Sequence, residues 1–402
     1  MKANTSKNLG LMVLCGIGLL VLPLILQQFG NAWVRIADLA LLYVMLALGL
    51  NIVVGYAGLL DLGYVAFYAV GAYLFGLLAS PHLLDNFQSL AVMFPNGMHL
   101  PLWLVVPIAA LLAAIAGMIL GYPTLKLRGD YLAIVTLGFG EIIRIFMNNL
   151  DAPINLTNGP KGIGQIDPVT VFGYPLSKTL RIGDFSIPSV TLYYYLFLFL
   201  VILVVIVSAR LQDSRLGRAW MAIREDEIAA KAMGLDTRKL KLMAFGMGAS
   251  FGGISGAMFS AFQGFVSPES FSLMESVMIV AMVVLGGLGH LPGVILGAVL
   301  LSALPEVLRY VADPLQAMTD GRLDPAILRQ LLIALAMITV MLVRPRGLWP
   351  APEHGKVAKN SDVSDDASHI QPASAQANPP GIDSPSDAIP GTTSIRQDSV
   401  HP

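Results

Sequence analysis

Ten apolar runs, each near the length that crosses a lipid bilayer, decide what this chain can fold into. They lie near residues 9–26, 36–54, 57–79, 103–121, 131–149, 190–208, 242–263, 275–289, 293–308 and 326–343. A hydrocarbon core about 30 Å thick takes roughly 20 mostly apolar residues to cross as helix. The runs predict an all-α polytopic membrane protein with about 8–10 transmembrane helices. The range stays open because the pairs around Gly55 and around Gly289 each read as two spans or as one broken segment.

Composition narrows the function classes. Of the 402 residues, 55% are hydrophobic and 13% charged, with a mean hydropathy of +0.69. A soluble domain carries about 25% charged residues to dress its surface, so a soluble enzyme is excluded. A net charge of −1 excludes a strongly basic nucleic-acid binder too, and leaves the lipid bilayer as the surroundings. That net charge conceals two parts. Residues 353–402 hold seven acids and three bases, a net −4, so the other 352 residues sum to +3. The segment 350–402 is rich in Ser, Pro, Asp, Ala and Gln. It lacks the apolar surface needed to offset chain entropy, and is expected to be a disordered acidic cytoplasmic tail. The single cysteine, Cys15, permits no disulfide within the chain and leaves the redox compartment undetermined.

The first run follows Lys2 and Lys7 as a signal peptide would, but it is too long and no small-x-small cleavage site follows. It reads as a retained N-terminal membrane helix within 1–34. Orientation follows Lys and Arg in short links. The stretch 80–101 has none, the link 122–130 has Lys126 and Arg128, and Arg344 and Arg346 follow the last span. The link 209–241 has eight: Arg210, Arg215, Arg218, Arg224, Lys231, Arg238, Lys239 and Lys241. Both termini and the basic links are therefore expected in the cytoplasm, with 80–101, 151–189, 267–274 and 309–325 outside.

The link 209–241 reads as helix. Trp220, Ile223, Ile228, Ala232 and Leu235 give a short apolar stripe, Gly234 stands where a helix would stop, and Glu227 and Lys231 form an i,i+4 pair. It reads either as a charged loop enriched in bases by orientation alone, or as a helix along the membrane presented to a cytoplasmic partner.

Its run GRAWMAIREDEIAAKAMGLDTRKLKLMAF resembles the cytoplasmic coupling segment of ATP-binding-cassette importer permeases, more narrowly the branched-chain amino-acid (LivM-type) permease. The general pattern is Glu-Ala-Ala, three residues, then Gly. Ala229, Ala230 and Gly234 keep that spacing, while Glu227 lies one position further out and the hydrophobic-plus-proline ending is missing. Four further stretches resemble the same family: GLNIVVGYAGLLDLGYVAFYAVGAYLFGLL (49–78), LKLRGDYLAIVTLGFGEIIRI (125–145), QGFVSPESFSLMES (263–276) and VVLGGLGHLPGVILGA (283–298). The resemblance implies a permease domain over 35–349 with a cytoplasmic coupling helix, in the bacterial inner membrane. It implies a second homologous permease subunit, two cytoplasmic ATPases and a periplasmic amino-acid-binding protein as partners. By the same resemblance Gly217, Arg218, Arg224, Glu225, Glu227, Ala229, Ala230 and Gly234 face the ATPase, and leucine, isoleucine and valine are the substrates. Urea and short-amide permeases have similar coupling segments and remain the alternative.

The chain has no phosphate loop of its own: GPKGIG at 159–164 has glycines and a lysine in the wrong order. ATP would be hydrolysed by partner subunits, and this chain binds no cofactor. No nucleophile–base set stands out and the six histidines lack metal-ligand spacing, so neither a catalytic residue nor a metal ligand is assigned.

A charge at bilayer depth costs about 2.5–3.5 kcal/mol on insertion scales, so each one asks for a reason. Glu141 and Arg144 share a helix face and either steady a protein–protein contact or line the path of a zwitterionic substrate. Asp61 lies among Gly55, Gly58 and Gly63, and Gly286 and Gly287 lie in a second glycine-rich break. Interrupted segments in both halves of a transporter point to a permeation site, though each also reads as a tight cytoplasmic turn. The glycines of GMGASFGGISGA (246–257) read as close helix packing. Ser267 and Glu269 read as helix capping or as a loop that meets a binding protein. An ion-driven secondary transporter would need an essential carboxylate such as Asp61 or Glu141, and a membrane-embedded enzyme would need a catalytic constellation.

Overall fold

A computed structural model describes residues 16–94, 98–127, 129–171, 173–182, 185–318, 325–344 and 347–349. The start of the first run, Cys15, Arg128, Arg346 and the acidic segment 350–402 lie outside the described residues.

The described chain is almost wholly helical. The helices are α1 (Gly16–Gln28), α2 (Asn31–Asn51), α3 (Val65–Leu78), two short ones, α4 (His82–Asn86) and α5 (Gln88–Met93), then α6 (Leu102–Thr124), α7 (Asp130–Asn148) and α8 (Ser189–Asp213). The basic link forms α9 (Arg215–Glu225) and α10 (Glu227–Ala232). It is followed by α11 (Thr237–Gln263), α12 (Leu273–Gly286), α13 (Leu291–Met318) and α14 (Pro325–Val343). Among the described residues, every expected apolar run falls wholly or partly on helix. Two hairpins, β1 (Thr170–Val171) with β2 (Tyr174–Pro175) and β3 (Leu180–Ile182) with β4 (Phe185–Ile187), occupy the link before α8. Together these make an all-α polytopic membrane protein.

Two runs are shorter as helix than as apolar sequence. The run 57–79 is helical only from Val65, and α3 and α12 have 14 residues each. At 1.5 Å per residue they rise about 21 Å, short of a full crossing. The open question about the two glycine-rich breaks is answered differently at each. α2 continues as a π-turn, Ile52–Tyr56, and then unwinds through 57–64. In Leu285–Gly293 only residues 287–290 leave the helix, a tight turn between α12 and α13 with Gly287 and Gly289 at φ +120° and +77°.

The unwound stretch is held by side chains. Gly58 has φ +69°, a conformation L side chains rarely adopt. Asp61 Oδ1 accepts from the Gly63 amide at 2.9 Å, Thr136 Oγ1 of α7 accepts from the Leu62 amide at 3.0 Å, and Ser276 Oγ of α12 donates to the Leu62 carbonyl at 2.6 Å.

Of the five helices long and apolar enough to cross a membrane, α2 and α11 are the most enclosed and α6 and α13 the least. α11 packs on α6, α3 and α2 through the small residues that the sequence marks for close approach. A Cβ on Gly256 would strike the Tyr68 carbonyl, and one on Gly253 would lie 2.6 Å from the Ala109 carbonyl oxygen. Gly256→Val is therefore expected to cost about 1–3 kcal/mol or more, read as a fall of several degrees in the Tm of the micelle-solubilised protein. Gly138→Ala, at a position with nothing within 4 Å, should leave Tm where it is. Equal Tm values for both variants would contradict the packing.

Candidate coupling and translocation site

The basic link is built from its caps. Ser214 Oγ accepts from the Gly217 amide at 3.1 Å and starts α9, and Arg218 reaches back to the Asp213 carbonyl at 2.9 Å. Gly217 is obligatory there, since a Cβ would strike the carbonyl of Leu211. The inner face of α9 is Gly217, Trp220 and Ile223, and the wholly buried Trp220 donates from Nε1 to the Leu240 carbonyl at 2.7 Å. α10 ends as Gly234 was expected to end it. Gly234 is at φ +88°, its amide bonds the Lys231 carbonyl and the Leu235 amide bonds the Ala230 carbonyl, a Schellman closure.

Two details differ from the sequence expectation. The link is two helices rather than one, because extended Asp226 turns its carboxylate onto the Ile228 and Ala229 amides at 2.8 and 3.1 Å and starts a new helix. The apolar stripe is divided as a result: Trp220 and Ile223 face inward, Leu235 is half-buried, and Ile228 and Ala232 are exposed. Glu227, at the first position of α10, also reaches Lys241 of α11 at 2.8 Å rather than Lys231. At the start of α11 the Lys239 amide hydrogen-bonds Asp236 and holds its carboxyl below the usual range. That contribution is present at neutral pH and is lost only as pH falls through the lowered value.

Arg224 leaves the link and enters the membrane body. Its Nη1 donates to the Gly55 carbonyl at 2.6 Å and its Nη2 lies 3.1 Å from Glu225 Oε1. Gly58 packs on its aliphatic stem, where a Cβ would sit 2.6 Å from Cγ, and a Cβ on Gly289 would sit 2.8 Å from Nη1. Asn51 Oδ1 accepts from the Gly289 amide at 2.9 Å. Both glycine-rich breaks and α9 therefore meet at one node, which the linear reading had as three separate features. Asn51, a polar residue inside an apolar run, is the signal that was there to find.

The other candidates fall into different surroundings. Asp61 is buried among Thr136, Phe67, Phe139 and Phe245, with one oxygen on the Gly63 amide and the other unpartnered. Glu141 and Arg144 pair at 3.0 Å as their spacing suggested. Arg144 Nη1 also lies 3.7 Å from Glu269 in the turn Pro268–Phe271, so three candidates from two groups form one cluster. Ser267 precedes that turn without capping it, and the neighbouring Val266 bridges to Ile163. Gly286 and Gly287 are packed against the backbone of Gly293 and Gly347, and the Leu348 amide donates to the Leu285 carbonyl at 2.8 Å. Sequence reasoning missed Asp38, buried in α2 with neither carboxylate oxygen hydrogen-bonded, and the bond that Glu275, in the first turn of α12, accepts from Tyr43 at 2.6 Å. The cost of charge at depth would have singled out Asp38. Among the described residues no group of His, Cys, Asp and Glu is placed to hold a metal ion.

Comparison with known proteins agrees with this architecture. A family model described as branched-chain amino acid transport system / permease component matches residues 32–341. The chain is 44% identical over 330 residues to the high-affinity branched-chain amino acid transport system permease protein LivM of Escherichia coli (strain K12), covering 79% of this chain and 70% of that one. It is 26% identical over 331 residues to the probable branched-chain amino acid transport permease protein LivM of Methanocaldococcus jannaschii, covering 77% and 90%. It is 24% identical over 336 residues to the permease protein LivH of Salmonella typhimurium, covering 83% and 97%. No solved structure matches. With a family match across more than three quarters of its length and the helical membrane body that such a match requires, the chain belongs to the permease family of branched-chain amino acid transport systems.

Proposed function

We propose that this chain is the permease subunit of an ATP-driven importer of leucine, isoleucine and valine in the bacterial inner membrane, with both termini cytoplasmic. Residues 35–349 form the pathway together with a second, homologous permease subunit. Two cytoplasmic ATPases bind the segment 209–241, and a periplasmic amino-acid-binding protein delivers substrate near Ser267 and Glu269. The segment 350–402 takes no part in transport.

One observation carries the reading: Arg224 joins the exposed link to both breaks in the membrane body. A ligand shifts a conformational equilibrium only through contacts that differ between its states. A partner that grips Arg218, Glu225, Glu227, Ala229 and Gly234, over the buried Gly217 and Ala230, and tilts α9 changes the Arg224–Gly55 contact directly. That contact in turn bears on the turn at Gly289 through Asn51. The caps at Ser214 and Asp226 and the Trp220 anchor make the link stiff enough to transmit such a tilt.

Coupling through Arg224 is tested by Arg224→Ala in the assembled transporter. A hydrogen bond to a charged group contributes about 1.5–3 kcal/mol, so uptake should fall on the order of tenfold or more while the ATPases still co-purify. Arg224→Lys should restore part of it. Wild-type uptake by Arg224→Ala would refute the role, and loss of the ATPases would make Arg224 a docking residue only. Substrate class is tested separately by competition. Unlabelled isoleucine and valine should suppress uptake of labelled leucine, and urea should not. Suppression by urea would move the chain to the short-amide branch. Uptake that collapses when the proton gradient is dissipated at constant ATP would assign it to ion-coupled transport.

A further inference from the structure

The C-terminal end of α6, α10 and the start of α11 line a cavity of about 800 Å³ within the basic link, to which the transport reading assigns no ligand. Five cations line it, Lys126, Lys231, Arg238, Lys239 and Lys241, against the two acids Glu227 and Asp236. The acids are engaged, Glu227 with Lys241 at 2.8 Å and Asp236 with Lys239 at 3.1 Å. Among the described residues no carboxylate lies within ion-pair distance of Lys126, Lys231 or Arg238. The three come from the end of α6, from α10 and from α11, so their meeting is made by the fold and not by a run of charge along the chain. Three like charges around one cavity repel one another unless an anion sits between them.

The wall leading away from the cavity is apolar. Leu111, Ile115, Ile119 and Tyr122 succeed one another along α6 at helical spacing, exposed by 63%, 41%, 66% and 63%, and Tyr122 forms the rim of the cavity. A ligand that satisfies both surfaces has an anionic head and an apolar body. Basic pockets between membrane helices on the positively charged side suit anionic lipid headgroups, and aromatic residues favour the headgroup level.

We propose that this cavity binds an anionic phospholipid of the leaflet on the basic-link side, with its phosphate among Lys126, Lys231 and Arg238 and its acyl chains along α6. The lipid then bridges α6 to the α10–α11 junction, next to the coupling segment. This assignment stands on geometry and charge, and does not depend on which substrate is carried.

The test is native mass spectrometry of the full-length chain in micelles, titrated with phosphatidylglycerol or with phosphatidylcholine of the same acyl chains. Phosphatidylglycerol should be retained about tenfold more than phosphatidylcholine, given the contribution of each basic residue near an anionic lipid. The triple variant K126Q/K231Q/R238Q should lose that preference, and K126R/K231R/R238K should keep it, with Tm showing that each variant is folded. R210Q/R215Q, basic positions outside the cavity, should behave as wild type. Equal retention of the two lipids, an unaffected K126Q/K231Q/R238Q variant, or an equal loss in R210Q/R215Q would overturn the site. Displacement of phosphatidylglycerol by millimolar inorganic phosphate would show an anion site whose occupant is not a lipid, and would overturn the proposal in that form.

Discussion

A buried backbone polar group has to find its partner inside the fold, and the eight mostly buried residues 57–64 are where this protein meets that constraint. A helix would satisfy them internally, but the chain here follows Gly58 at φ +69° and the turn at Asp61. Side chains replace several of the bonds the helix would have made: Thr136 and Ser276 at Leu62, Asp61 from within the stretch at Gly63, and Arg224 at Gly55 just before the break. An unsatisfied group in this setting costs several kcal/mol. The break is therefore stable only while α7, α9 and α12 stand around it, and this makes it sensitive to any of them moving.

Bringing side-chain partners from three elements onto one stretch requires unusually close helices. In lipid there is little hydrophobic drive for association, so contact has to come from small residues that let backbones approach. α11 supplies them. Gly248 lies beside Gly49, and the Tyr64 hydroxyl, at the end of the break, reaches the Gly248 carbonyl at 3.0 Å. The glycines along α11 and the unwound stretch are parts of one solution: the first gives the proximity that the second consumes.

Hydropathy made the spans legible because lipid imposes one length and one composition on every helix that crosses it. Local chemistry made Gly234 legible as a helix end, since only a residue tolerant of positive φ fits the closure there. What stayed hidden depended on contacts distant in sequence. Asp226 reads as one of three consecutive acids until its extended backbone turns it into a cap that splits the link. Glu227 fits a local pair with Lys231, yet α11 brings Lys241 nearer. The Arg224–Gly55 bond joins residues 169 positions apart, and no spacing rule reaches that far. The depth of the two half-length helices was hidden for the same reason: apolar sequence continues through 57–64 while the helix does not.

Two arginines enter the membrane body from opposite ends of the bundle, and their partners set how firmly each is held. Arg144, toward the far end of α7, is paired at 3.0 Å with the half-buried Glu141 of its own helix and lies 3.7 Å from the more exposed Glu269. Displacing it would leave carboxylates and a guanidinium without their counter-charges, so this cluster ties loop to helix as a fixed joint. Arg224 holds a backbone carbonyl, and its only nearby carboxylate among the described ion pairs is Glu225, 76% exposed and screened by water. Released from Gly55, its guanidinium would still have Glu225 and solvent at hand. The free-energy gap between the two placements is therefore small, and only a contact with a small gap can be shifted by the binding of a partner. An arginine paired with a carboxylate on its own helix and one held by a backbone carbonyl differ in what they lose on moving, and the proposed coupling draws on that difference.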